Sequence, residues 1–228
     1  MSRLVVPLPE HALVIDCFEP LSAARLERLA AARYEDRPIA GAIRYRENLT
    51  LAELAGILAT RTPSGTPWGV MTVGEAYTDS MAAPDVAKGT RDGQRAAELL
   101  DALGIPPDVD AWLDVEGPKA DGDAVALYVN AWHVLMRRWG HLFGAGVATA
   151  TGLYEGWGIA LNSEALYKRL AVPGYWASSP GSTPPAHRGF KLVQLRESVT
   201  LGGELVDVDE ARADHLGGLC SALFDDAA

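Results

Sequence analysis

Ala111-Trp112-Leu113-Asp114-Val115-Glu116 carries the most chemically suggestive spacing in the chain, an apolar run that ends in two carboxylates two residues apart. Strand side chains alternate between faces, so Trp112, Asp114 and Glu116 share one face while Ala111, Leu113 and Val115 share the other. The apolar face suits packing under helices. The acidic face must line a cavity or a mouth, because carboxylates are seldom buried without a partner or a task. At this spacing the Cβ atoms lie roughly 6 to 7 Å apart, so ionising one carboxyl disfavours ionising the other. One of the two can then hold a proton near neutral pH, which a general acid requires. The tripeptide D-x-E is also common in solvated strand ends and ion-pair networks, so its meaning depends on where the fold puts it.

Strand-like and helix-like segments alternate from the N-terminal side, the pattern of parallel β/α units. Strands are expected at His11 to Cys17, Ala40 to Tyr45, Trp68 to Glu75, Ala111 to Glu116 and Ala145 to Thr151. Helices are expected over Ser22 to Ala32, Thr50 to Thr60, Asp85 to Leu103, Asp123 to Trp139 and Asn162 to Leu170. Thr50 and Glu53 form a capping box, and Gly104 with Pro106 stops the third helix. Beyond residue 170 the rhythm changes. Gly174 to Ala177, Phe190 to Leu195 and Glu204 to Val208 read as strands with little helix between them, Ser178 to His187 reads as a loop, and a last helix is expected over Glu210 to Phe224. The count predicts an irregular α/β barrel of the TIM type, five β/α units followed by three strands, formed by residues 1–228 as a single domain. An open doubly wound sheet would carry a glycine-rich phosphate turn after its first strand, and here that turn reads Asp16-Cys17-Phe18-Glu19-Pro20.

In a barrel, polar residues at strand ends become neighbours. Asp16 ends the first strand, Arg44 and Tyr45 the second and Glu75 the third; Asp114 and Glu116 end the fourth, Gln194 lies on the seventh, and Asp207 and Asp209 flank the end of the eighth. Acids at so many strand ends mark an active-site face. Each has a plainer reading: Asp16 or Asp209 as a helix cap, Arg44 as a counter-charge, Glu75 as a solvated loop acid. Aromatic residues that include Tyr45, Trp112, Tyr154 and Trp176 fall at the same ends, and rings beside acids suit the apolar faces and hydroxyl groups of sugars.

Composition narrows the classes. The net charge of −10, with scattered basic residues, argues against nucleic-acid binding. No run approaches the roughly 18 apolar residues of a membrane span. Pro7, Pro9 and Glu10 interrupt the start of the chain and make it a poor signal peptide, so action in the cytoplasm or release by a route not encoded here is expected. The five histidines and two cysteines show no metal-ligand spacing, and no cofactor or metal is expected.

The ordered motifs VIDCFEP, AIRY, GQRAAELLDALGIP, DAWLDVEG, GLYEGWG, GYWASSP, GFKLVQL and VDVDEA resemble the glycoside-hydrolase-like barrels grouped as domain of unknown function 1906. That group is similar to the family 25 lysozymes, which cleave the muramic acid linkage of peptidoglycan. The resemblance covers nearly the whole chain. It implies Glu116 as general acid, Asp114 as its partner orienting an acetamido group or stabilising developing positive charge, Asp16 across the cleft, and Asp207 or Asp209 completing the set. The expected function is therefore hydrolysis of a β-linked, N-acetylated cell-wall glycan through an oxocarbenium-like transition state. Arg44, Tyr45, Glu75, Tyr154, Trp176, Gln194 and Asp209 are the expected substrate-binding residues. The alternatives are a non-catalytic barrel that binds a glycan, and an unrelated barrel enzyme whose acids hold Mg²⁺. The longer chitinase pattern D-x-x-D-x-D-x-E would need acids at Val109 and Trp112, and that likeness fails.

Overall fold

Helix starts in this chain are set by side-chain caps. Ser22 Oγ accepts from the Arg25 amide, Thr50 Oγ1 from Glu53 and Asp85 Oδ1 from Lys88, each satisfying an amide that the first helical turn leaves open. The computed structural model describes residues 3–75, 80, 82–115, 122–142, 151–155, 168–181 and 188–225, with the backbone alone at 75, 140–142 and 151–155. Its elements run β1 (Arg3–Pro7), β2 (Leu13–Cys17), α1 (Ala23–Ala31), β3 (Arg33–Tyr34), β4 (Arg37–Tyr45), α2 (Leu51–Ala59), β5 (Gly69–Glu75), α3 (Val86–Ala102) and β6 (Ala111–Val115). Then follow α4 (Gly122–Leu142), β7 (Thr151–Glu155), β8 (Gly174–Ala177), β9 (Leu192–Leu201), β10 (Glu204–Ala211) and β11 (Ser221–Asp225).

Strands β2, β4, β5, β6, β7, β8 and β9 are parallel neighbours in that order. β10 pairs antiparallel with β9 on one side and with β2 on the other, so the pairings return to the strand from which they began. This is the mixed α/β, barrel-like architecture expected from the alternation, with helices after β2, β4, β5 and β6. The helix expected over Asn162 to Leu170 lies outside the described residues except for 168–170, which form a turn.

Alternation along the strands divides the apolar residues into two cores. Outward-facing Leu13, Ile15, Ala42, Val70, Leu113 and Val208 pack against helix residues such as Leu26, Leu29, Leu54, Ile57, Leu100 and Val129. Inward-facing Val14, Ile43, Met71, Val73, Trp112, Trp176, Leu192 and Ala211 fill the interior together with Leu8, Cys220 and Ala222. The interior below the strand ends is therefore packed rather than hollow. Helices α3 and α4 approach closely at Gly89 and Gly93, where a Cβ would stand 2.2 Å from the Tyr128 carbonyl oxygen and 2.9 Å from that of Trp132. Ser80 Oγ and Tyr128 Oη both donate to the buried Asp92 Oδ2 across this seam, at 2.5 and 3.0 Å.

Several expectations are corrected. No helix spans Glu210 to Phe224. Glu210 and Ala211 end β10, residues 212–220 form a connection, and residues 221–225 are β11, paired antiparallel with β1. Gly217, at φ +78°, and the Asp214 carboxylate, which accepts from the Leu216 and Gly218 amides, turn the chain where the helical pattern would have continued. β1 was not expected at all, and the fifth strand falls at Thr151–Glu155, later than Ala145 to Thr151. Cys17 and Cys220, by contrast, are buried and free, as two thiols in a chain of this length suggest, and belong to different cores.

In an ordinary helix interior Gly→Ala stabilises by about 1 kcal/mol. At Gly89 the obstacle is backbone, which cannot rotate away. Gly89→Ala is expected to destabilise by about 1–3 kcal/mol, seen as a lower urea midpoint at unchanged slope; a raised midpoint would show that the seam opens freely.

Candidate functional site at the barrel mouth

Antiparallel pairing of β10 with β2 sets Asp207 opposite Asp16 and Asp209 opposite Val14, one layer deeper. Asp16 and Asp209 are buried at 6% and 0% exposure, and Asp207 is half-buried. Burial pushes the Asp16 carboxyl up to about 7, the neighbouring Asp207 raises it further, and Arg44 together with the Cys17 amide pulls it partly back. Asp209 is raised well above the usual carboxylate range, first by burial and then by Asp16, against the lowering effect of the Trp176 indole, which donates to its Oδ1 at 2.9 Å. Asp207 is also raised, chiefly by burial, although the Ser198 amide donates to it at 2.7 Å and Gln194 Nε2 at 3.1 Å. Among the described residues, Asp16 Oδ1 and Asp209 Oδ2 have no hydrogen-bond partner. Like charges this close and this dry disfavour one another's ionisation.

From β4, the neighbouring strand to β2, Tyr45 Oη donates to Asp114 Oδ2 at 3.4 Å, and Asp114 is 4% exposed. Trp112 and Trp176 meet edge to face beneath, with centroids 5.8 Å apart. Trp176 therefore links the aromatic floor to Asp209. By register, Glu75, Asp114, Tyr154 and Trp176 occupy one row across β5, β6, β7 and β8.

Arg44 is the correction within the predicted site. Ile43 and Tyr45 face inward, so Arg44 between them faces the helices. It is fully buried there, with Nε donating to Glu53 Oε1 at 2.8 Å, Nη1 to Cys17 Sγ at 3.6 Å and Nη2 to the Phe18 carbonyl at 3.4 Å. Glu53 does not close the capping box as expected; its Oε1 instead accepts the Leu21 amide at 2.8 Å. The Arg44–Glu53 pair thus holds the turn after Asp16 and takes no place in the mouth. Asp209 is likewise a strand residue and not a helix cap.

Asp16, Tyr45, Asp114, Trp176, Gln194 and Asp209 are therefore brought together. Glu116 lies outside the described residues, as do the side chains of Glu75 and Tyr154. Residue-by-residue reading undervalued Asp207, which period two places on the face of Asp209. It missed Phe18, an aromatic between a strand-end acid and Pro20. Among the described residues no group of three His, Cys, Asp or Glu could hold a metal ion, and no helix is long and apolar enough to cross a membrane.

The fold and the mouth define an irregular α/β barrel with an acidic opening floored by aromatic rings. No protein-family model matches the sequence, and no curated protein matches it. Solved structures do. An uncharacterized protein from B. stearothermophilus is similar at 17% identity and TM-score 0.65, covering 88% of this chain and 95% of that one. The Tat-secreted protein Rv2525c of Mycobacterium tuberculosis, in complex with L-tartrate, is similar at 17% identity and TM-score 0.60 with the same coverage. The modular autolysin LytC of Streptococcus pneumoniae, in complex with a synthetic peptidoglycan ligand, is similar at 15% identity and TM-score 0.52, covering 90% of this chain and 47% of LytC. These likenesses are likenesses of fold.

Two outcomes follow from the geometry. Because Asp16 is more readily protonated folded than unfolded, its contribution to stability is fully present below about pH 4 and is lost as pH rises through about 7. The melting temperature of the wild type should therefore fall relative to Asp16→Asn between about pH 4 and 7; a constant difference would mean that Asp16 ionises as it does in the unfolded chain. Arg44→Met leaves Glu53 charged in a dry site, and should cost about 3–5 kcal/mol in chemical denaturation.

Proposed function

We propose that this chain is a glycoside hydrolase acting on an N-acetylated, peptidoglycan-like cell-wall glycan. The observation that carries the reading is the set of closely placed carboxyls Asp16, Asp207 and Asp209, paired across β2 and β10, in a mouth that also holds Asp114 with Tyr45. Glycoside cleavage needs a carboxyl that gives a proton to the leaving oxygen and a second carboxylate that meets positive charge as the glycosidic bond breaks. Burial and mutual repulsion tune carboxyls for such a division of roles. The sequence resemblance to family 25 lysozymes supports the same assignment, as does the likeness of fold to an autolysin crystallised with a peptidoglycan ligand.

In this reading Glu116 is the acid that protonates the leaving group. Asp114, two residues earlier on the inner face of β6, orients the acetamido group or faces the developing oxocarbenium centre, with its carboxylate fixed by Tyr45. Asp16 and Asp209 stand across the cleft. Their burial favours a hydrogen-bond-donating neutral form, suited to sugar hydroxyls. Trp176 and Gln194 hold Asp209 and Asp207, and Glu75 and Tyr154 extend the row of Asp114 along the cleft. Arg44 positions the turn after Asp16. The chemistry requires no cofactor.

Digestion of purified peptidoglycan, read by mass spectrometry, tests this. The wild type should release muropeptides with new reducing ends. Glu116→Gln should lower that release on the order of 100- to 10,000-fold while binding to the insoluble glycan persists. Saturable binding by the wild type with no release would make the protein a non-catalytic glycan-binding barrel instead.

A further inference from the structure

Phe18 is 57% exposed and follows directly on the strand that ends in Asp16 and Cys17. Single apolar residues on a surface need no special account, but this one is held. Its ring meets Tyr45 edge to face, with centroids 5.3 Å apart and planes at 63°. Tyr45 is in turn tied through its hydroxyl to Asp114. The turn that carries Phe18 is fastened from beneath at both ends: its own carbonyl accepts from Arg44, and the Leu21 amide donates to Glu53, the buried ion partner of Arg44. A buried ion pair is a costly way to hold a surface turn. Its effect is to fix an exposed ring on the rim of an acidic mouth before any ligand arrives, so that little ordering entropy remains to be lost on binding. Among the described residues the other strongly exposed apolar side chains, Leu51, Leu127, Leu205 and Leu216 included, are aliphatic.

We propose that Phe18, backed by Tyr45, forms an aromatic wall that binds the apolar face of a pyranose ring of the glycan. The inference rests on the glycan reading above and adds to it a specificity-determining contact outside the carboxyl set. A sugar ring offers a flat array of C–H bonds on one face and hydroxyls at its edge. Phe18 supplies a surface for the first, and Tyr45 and Asp114 supply partners for the second. The wall is uncharged, so it attracts a saccharide regardless of the charge of the rest of the glycan. Stacking favours a flat ring over an aliphatic side chain of similar area.

Calorimetric titration of the full chain at pH 6 with the β-1,4-linked tetramer of N-acetylglucosamine tests the wall. The wild type should bind saturably, Phe18→Ala and Phe18→Leu should weaken binding about tenfold, and Phe18→Trp should bind as the wild type does. All three variants should melt with the wild type, because the substituted ring is mostly in water. Equal affinity of Phe18→Ala and wild type, with binding lost in Asp114→Asn, would place the sugar in the mouth but away from Phe18; the wall is then overturned and the glycan reading stands. No binding of the tetramer by the wild type would overturn the wall together with the reading it rests on.

Discussion

Bringing β10 in antiparallel between β9 and β2 is the constraint on which the mouth depends. A parallel last strand would present its C-terminal end at the opening. The antiparallel one presents Asp207 and Asp209 from its middle, directly against Asp16 at the end of β2. Inside a closed circuit of strands these carboxyls have nowhere to turn. Solvent does not screen Asp16 and Asp209, and Arg44, the cation that lowers Asp16, is committed to Glu53 on the other face of the sheet. The conflict raises all three carboxyls above their ordinary range, with Arg44 offsetting only part of the rise at Asp16. A barrel closed by such a strand therefore holds acid at its opening as a consequence of its topology.

The outward Arg44–Glu53 pair complements this inward cluster. It joins α2 to β4 and the turn after β2, so the same strand end that delivers Asp16 inward is fixed from outside. Charge is thus sorted by face. The Arg44–Glu53 ion pair lies between sheet and helices, and the Asp16, Asp207 and Asp209 carboxyls face the mouth. Trp176 bridges the regimes, packing on Trp112 in the interior core and donating to Asp209 above it. Its indole is both floor and polar partner, a combination open to tryptophan and tyrosine alone among large apolar side chains.

Much of this was legible from periodicity. The alternation from His11 onward and the short-linked strands after residue 170 are sufficient for the barrel-like strand order, with helices after the first four of its strands among the described residues. What failed had local physical causes. Residues 210–216 are good helix formers, yet the Asp214 turn and Gly217 break the run, and pairing with β1 stabilises residues 221–225 as a strand, which propensity cannot foresee. Arg44 was set at the mouth beside Tyr45 although neighbours on a strand cannot share a face. Period two alone would have excluded it and would have admitted Asp207 with Asp209. The role of Glu53 was beyond local reading, because its competing partners, Leu21 and Arg44, come from other elements.

The charge balance bears on how such a mouth could engage a cell-wall polymer. With a net charge of −10, the protein is repelled by polyanionic surfaces, and screening at physiological salt confines that repulsion to roughly 8 Å. Long-range steering therefore works against encounter, and affinity has to come from contacts made after close approach. Burial raises the Asp16 and Asp209 carboxyls and so disfavours their ionisation at the point of contact, where repulsion is strongest. Aromatic surface contributes binding that salt and pH barely alter. An acidic barrel that buries its deepest carboxyls and fixes an exposed ring at the rim has thereby disfavoured charge at its opening.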